Sequence, residues 1–177
     1  MEKAYTELNA KLCAFLDKTP NSFFAVKNIK EELAAAGFSE LQESSRWQLQ
    51  AGGKYYVSRN GSALLAFVLP QNSYLGFQIY ACHCDSPAFK LKNNAEIVVD
   101  ERYVKLNVEM YGGMLLNTWL DRPLSVAGRV LCNVDGRLEA RLVNIEQDLL
   151  LIPNLAIHMN REANDGVKLN AQTDMLP

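Results

Sequence analysis

The chain has 177 residues, 49% of them hydrophobic and 21% charged, with a formal net charge of −2. That balance predicts an ordinary globular protein, with one good core and room for a small second lobe. No basic block is present to hold a nucleic acid, and the longest apolar runs, such as 63–70, are far too short to span a membrane.

The N-terminal stretch MEKAYTELNAKL carries acids and an amphipathic pattern, so it does not read as a signal peptide. Ala4, Leu8, Leu12, Phe15 and Leu16 recur at helical spacing and predict a first helix ending at Thr19-Pro20-Asn21. A second helix is expected with Ser22 as its cap, Phe23, Val26, Ile29 and Leu33 facing inward, and Gly37 as its stop.

After Trp47 the texture becomes β. KYYVSR and SALLAFVL flank Asn60-Gly61, a two-residue hairpin signal. GFQIYACH reads as a third strand, and its apolar character on both faces predicts a central position. NAEIVVDERYVKLNVEMY reads as two more strands. VAGRVLCNV and RLEARLVNI flank Asp135-Gly136 as a further hairpin, with Arg137, Glu139 and Arg141 making one face wet. A boundary is expected near residue 90, where mixed α/β gives way to antiparallel β. The C-terminal TDMLP, with no closing helix or polar tail, is expected to be a cut rather than a natural end.

Cysteines stand at 13, 82, 84 and 132, without Cys-x-x-Cys or framework spacing. Free thiols in a reducing cytoplasm are the natural expectation. Cys82 and Cys84 bracket His83 and are expected to be small buried side chains.

His83 and Asp85, at the end of the GFQIYACH run, share a face at i and i+2. A neutral imidazole is a good zinc ligand, and a carboxylate on its second nitrogen fixes the ring. By spacing alone, a hydrogen-bonded structural histidine remains the favoured alternative. The only other histidine, His158, lies near apolar surface and is structural by default. Gly112-Gly113 suggests a positive φ or a close backbone approach. Asp121-Arg122 suggests an ion pair at a turn, and Trp119 suggests core.

Four blocks occur in order: TPNSFFAVKNIKEELAAAGFSEL, HCDSPAFKLK, YGGMLLNTWLDRPLSVAGRV and LAIHMNRE. Together they resemble the aspartyl aminopeptidase family of zinc metallopeptidases (metallopeptidase family 18), from about Asp17 to the end. The resemblance implies an α/β (α+β) fold: a partial zinc-peptidase catalytic domain (1–89) followed by part of an antiparallel, β-rich inserted dimerisation domain (90–177). It implies a cytoplasmic enzyme that removes the N-terminal residue, often acidic, from peptides. Two zinc ions are expected in the complete enzyme, with assembly through dimers to a dodecamer. His83 would ligate one zinc, Asp85 would orient it, and His158 would reach a neighbouring subunit's active site to contact substrate.

The chain departs from the family pattern at Met114-Leu115-Leu116, Phe24 and Pro123. The remaining family ligands and the catalytic glutamate would follow Pro177. A zinc-activated water needs a metal held by three or more groups and a general base. This polypeptide alone is therefore expected to lack a tight zinc site and activity. The alternative expectation is a non-catalytic oligomerisation or binding module that keeps the first half of the fold.

Overall fold

The computed structural model describes residues 2–73 and 75–177, with the Glu2 side chain excepted. Two compact units emerge. The first comprises residues 1–85 and 127–144, the second 86–126 and 145–177.

In the first unit, helix α1 (Glu2–Asp17) and helix α2 (Ser22–Ala35) precede a sheet of β1 (Ser39–Leu41), β2 (Lys54–Arg59) and β3 (Ala63–Val68). The α1 periodicity is as expected, but Leu8, Leu12 and Leu16 stay exposed. The cap of α2 is Asn21 rather than Ser22. Its Oδ1 accepts from the backbone N–H of Phe23 (3.0 Å) and Phe24 (3.3 Å), because an extended residue just before the first turn can reach those orphan donors. Gly37 stops the helix at φ +82°. Phe38 N–H donates to Leu33 O and Gly37 N–H to Ala34 O, the paired bonds that a left-handed glycine permits. Ala25, Val26 and Tyr56 are the buried core of this unit.

Strand β1 runs parallel to β2, and β2 antiparallel to β3. Asn60 and Gly61 both adopt positive φ. Ser62 N–H closes the turn on Arg59 O. The register pairs Arg59 with Ala63, so Ser62 falls outside the ladder and the connection is one residue longer than expected. The hairpin of β6 (Ala127–Val134) and β7 (Arg137–Asn144) belongs to this unit and turns at Asp135-Gly136 as read. Strand β7 is exposed on both faces rather than one. Alternation specifies which residues can share a face, but only a covering layer buries them.

One expected strand is absent. Residues 76–83 join no ladder. Phe77, Ile79 and Tyr80 are 76%, 82% and 92% exposed. An apolar run reads as a central strand because both faces need cover and both edges need partners. Neither the flanking strands nor a covering layer is supplied to it among the described residues.

The second unit is built on a long antiparallel pair, β4 (Ala88–Val99) and β5 (Tyr103–Tyr111), turning at Asp100-Glu101, both at positive φ. Its register shifts between Leu91 and Glu96. Val108, Ile152 and Met175 are buried here. Gly112 adopts φ +79°, and a Cβ there would stand 3.4 Å from Pro87. Both features expected of the glycine pair thus fall on its first member. Asp121 and Arg122 take different partners. Asp121 takes a bond from Asn154 N–H (2.9 Å) and sends its own N–H to Ile152 O (2.9 Å), while Arg122 donates to Thr118 O. A carboxylate beside its own backbone N–H can both accept from and donate to the backbone of residues 152–154.

Candidate functional site

Ser86-Pro87 stops the extended run, and just before it His83 turns toward Asp85. His83 Nδ1 lies 2.8 Å from the Asp85 carbonyl oxygen and 3.2 Å from Asp85 Oδ1. A carbonyl and an ionised carboxylate can only accept, so Nδ1 carries the proton and donates. Nε2 then keeps its lone pair. The His83 side chain is 83% exposed and the Asp85 side chain 43%, so the ring is open to solvent rather than sunk in hydrocarbon. This is the tautomer and orientation of a metal-ligating histidine with an outer carboxylate.

Cys84 is half-buried and Cys82 exposed, and both are free thiols. Exposure of Cys82 departs from the expected buried pair, because the strand that would have enclosed it does not form. Cys84 Sγ donates to Ser62 O at 3.3 Å. His158 lies in the second unit, exposed, in a turn where Met159 N–H donates to Ala156 O.

The donor set limits what this geometry can hold. Among the described residues, no group of three or more His, Cys, Asp or Glu side chains comes together. His83 fits one coordination position with its orienting carboxylate. The rest of a zinc shell is not supplied by the described residues.

A groove of about 510 Å³ in the first unit lies elsewhere. Phe23, Val26, Tyr56, Arg129, Ala140 and Leu142 are among the residues that line it, and neither His83 nor Asp85 does. At its rim Arg129 Nη1 donates to Asn60 O (2.6 Å) and Asn60 Oδ1 (2.9 Å), and its guanidinium sits 4.5 Å above the Phe23 ring. Sequence reasoning passed over Arg129. Its hydrogen-bond partner Asn60 is 69 residues away along the chain, and no local pattern signals such a contact.

Residues 15–177 match the family model described as aminopeptidase I zinc metalloprotease (M18). A probable M18 family aminopeptidase 2 of Clostridium novyi is 48% identical over 171 residues, covering 94% of this chain and 40% of that protein. The chain therefore spans about 40% of the length of the curated relatives it matches. Among solved structures, mApe1 of Chaetomium thermophilum is 34% identical with a TM-score of 0.81, covering 94% of this chain and 39% of its own. The S. cerevisiae mApe1 dodecamer is 30% identical with a TM-score of 0.74, covering 88% of this chain and 37% of its own. The two solved structures share the fold of this chain over that length. No helix among the described residues is long and apolar enough to cross a membrane.

Proposed function

We propose a function from one premise: this chain belongs to the aminopeptidase I (M18) family of zinc metalloproteases. On that premise it is the portion of a zinc-dependent aminopeptidase that supplies His83 as a ligand to one of two zinc ions. Asp85 orients that ligand. His158 contacts peptide substrate in the active site of a neighbouring subunit. The substrate is the N-terminal residue of a peptide, with an acidic residue as the first candidate. Residues 1–89 belong to the catalytic domain and 90–177 to the dimerisation domain of a cytoplasmic homo-oligomer. The dodecamer of the S. cerevisiae relative supports the assembly.

One observation carries the reading: on a side chain that is 83% exposed, His83 Nδ1 faces the carbonyl and carboxylate oxygens of Asp85, which leaves Nε2 as the nitrogen to meet a metal. One imidazole binds zinc weakly, so the 177-residue chain by itself has no aminopeptidase activity. Zinc titration calorimetry and an aspartyl-anilide assay test this. Weak zinc uptake that disappears in His83→Ala, with no turnover, is the expected result. Tight stoichiometric zinc, or uptake unchanged by His83→Ala, would overturn the assignment of His83.

The sparse donor set favours a second reading, a non-catalytic oligomerisation or binding module. It too gives no turnover, but it gives no His83-dependent zinc uptake. The titration separates the two.

A further inference from the structure

His83 and Asp85 sit in backbone that belongs to no ladder, since residues 76–87 form neither helix nor strand. An imidazole on such a segment keeps one orientation only if something else holds the segment. We infer that Cys84 is a positioning residue for His83, and that Arg129 holds the turn on which Cys84 is anchored.

The path is continuous and lies within one unit. The Cys84 thiol donates to Ser62 O at 3.3 Å, crossing 22 residues of sequence. Ser62 is tied to Arg59 by the bond that closes the β2–β3 turn. The neighbouring Asn60 receives two bonds from Arg129, at its carbonyl and its side-chain oxygen. Arg129 is itself braced against the Phe23 ring of α2. Helix, hairpin turn and strand β6 thus converge on a residue adjacent to the histidine.

The chemistry suits a positioning role. A thiol is a weak donor, but it is the polar handle this segment offers toward the turn. Neighbours in extended backbone point to opposite sides. Fixing Cys84 toward the protein therefore turns His83 outward, where Nδ1 finds Asp85. Arg129 adds what a lysine could not, a planar guanidinium that stacks on an aromatic face while its Nη1 donates to both oxygens of Asn60. Asp85 restrains the ring from its own face, and Cys84 holds the same short segment from behind.

The inference deepens the zinc-ligand reading and rests on it for its purpose. Its readout, the tautomer of the metal-free ring, needs no zinc. Long-range nitrogen–proton correlation spectra of the 177-residue chain, recorded near pH 8.5 where an imidazole is neutral, report which nitrogen carries the proton. The unmodified chain should show His83 with a protonated Nδ1 and a bare Nε2. In Cys84→Ala the two nitrogen resonances should shift toward each other as the tautomers mix. Cys84→Ser keeps a donor and should restore the separation, which a purely packing role would not do. Arg129→Met retains a stem over Phe23 and removes both bonds to Asn60. It should shift the same resonances, and it tests the path if Cys84→Ala fails to fold. An unchanged His83 spectrum in a folded Cys84→Ala or Arg129→Met variant would overturn the inference. Loss of zinc uptake in His83→Ala is read separately, so failure of either idea leaves the other decided on its own result.

Discussion

Trp119 stands edge-on to Phe89, with ring centroids 5.1 Å apart and planes inclined by 79°. Phe89 is the second residue of strand β4, and Trp119 closes a 3₁₀ turn at Leu116–Trp119. The ring edge of one residue meets the negative face of the other, a geometry worth about 0.5–1.5 kcal/mol beyond area burial. A double-mutant cycle with Phe89→Leu and Trp119→Leu should return a coupling energy in about that range. Strict additivity of the two variants in urea denaturation would show that the contact contributes nothing.

Asn21 supports the first turn of α2 with two accepted bonds. Asn21→Ala should lower stability by about 1 kcal/mol. Asn21→Asp should keep most of it, because the carboxylate also accepts and favours the positive end of the helix. Equal losses in the two variants would place the effect outside capping.

Gly112 combines φ +79° with the nearby Pro87. A side chain in the left-handed region costs about 1–2 kcal/mol, and the added Cβ would only just touch Pro87. Gly112→Ala should therefore lower the unfolding midpoint clearly. Gly113→Ala, with nothing within 4 Å of the added carbon, should cost less. The reverse order would contradict this assignment of strain.

Tyr56 ionises above its ordinary range. Burial is the main cause, and the negative charge of Glu40 adds to it. The folded state holds the phenol proton more tightly than the unfolded chain does. Stability is therefore undiminished below about pH 10, the ordinary tyrosine value. It falls as pH rises from there through the higher folded value. Spectrophotometric titration, with Tyr56→Phe as the reference, should find Tyr56 ionising above the ordinary tyrosine range. Glu40→Gln should ease the shift without abolishing it, since burial persists. Complete return to the ordinary value would make Glu40 the main cause.

Leu8, Leu12 and Leu16 on α1, and Ile79 and Tyr80 in the extended run, leave much apolar surface in water. Such surface drives association. Sedimentation of the 177-residue chain at micromolar concentration should show species larger than a monomer. A sharp monomer boundary without binding of a hydrophobic dye would count against this.

What could be read from residues alone was local. The Asn60-Gly61 and Asp135-Gly136 turns, the Gly37 stop and the His83–Asp85 adjacency depend on a few consecutive dihedrals, and those residue types permit few alternatives. The family was legible for a similar reason, since its motif blocks are contiguous. Asn21 over Ser22 was a one-residue matter of which oxygen reaches the free N–H groups.

Contacts between distant segments were left to the tertiary structure. It unites the β6–β7 hairpin with the first unit, seats Arg129 on Asn60 and Cys84 on Ser62, and leaves GFQIYACH without a ladder. An apolar run states that burial would be favourable, but whether partners arrive depends on chain closure over tens of residues. Hence the sequence alone set the imidazole beside its carboxylate, whereas long-range packing determined which surfaces stay in water and what braces that imidazole from behind.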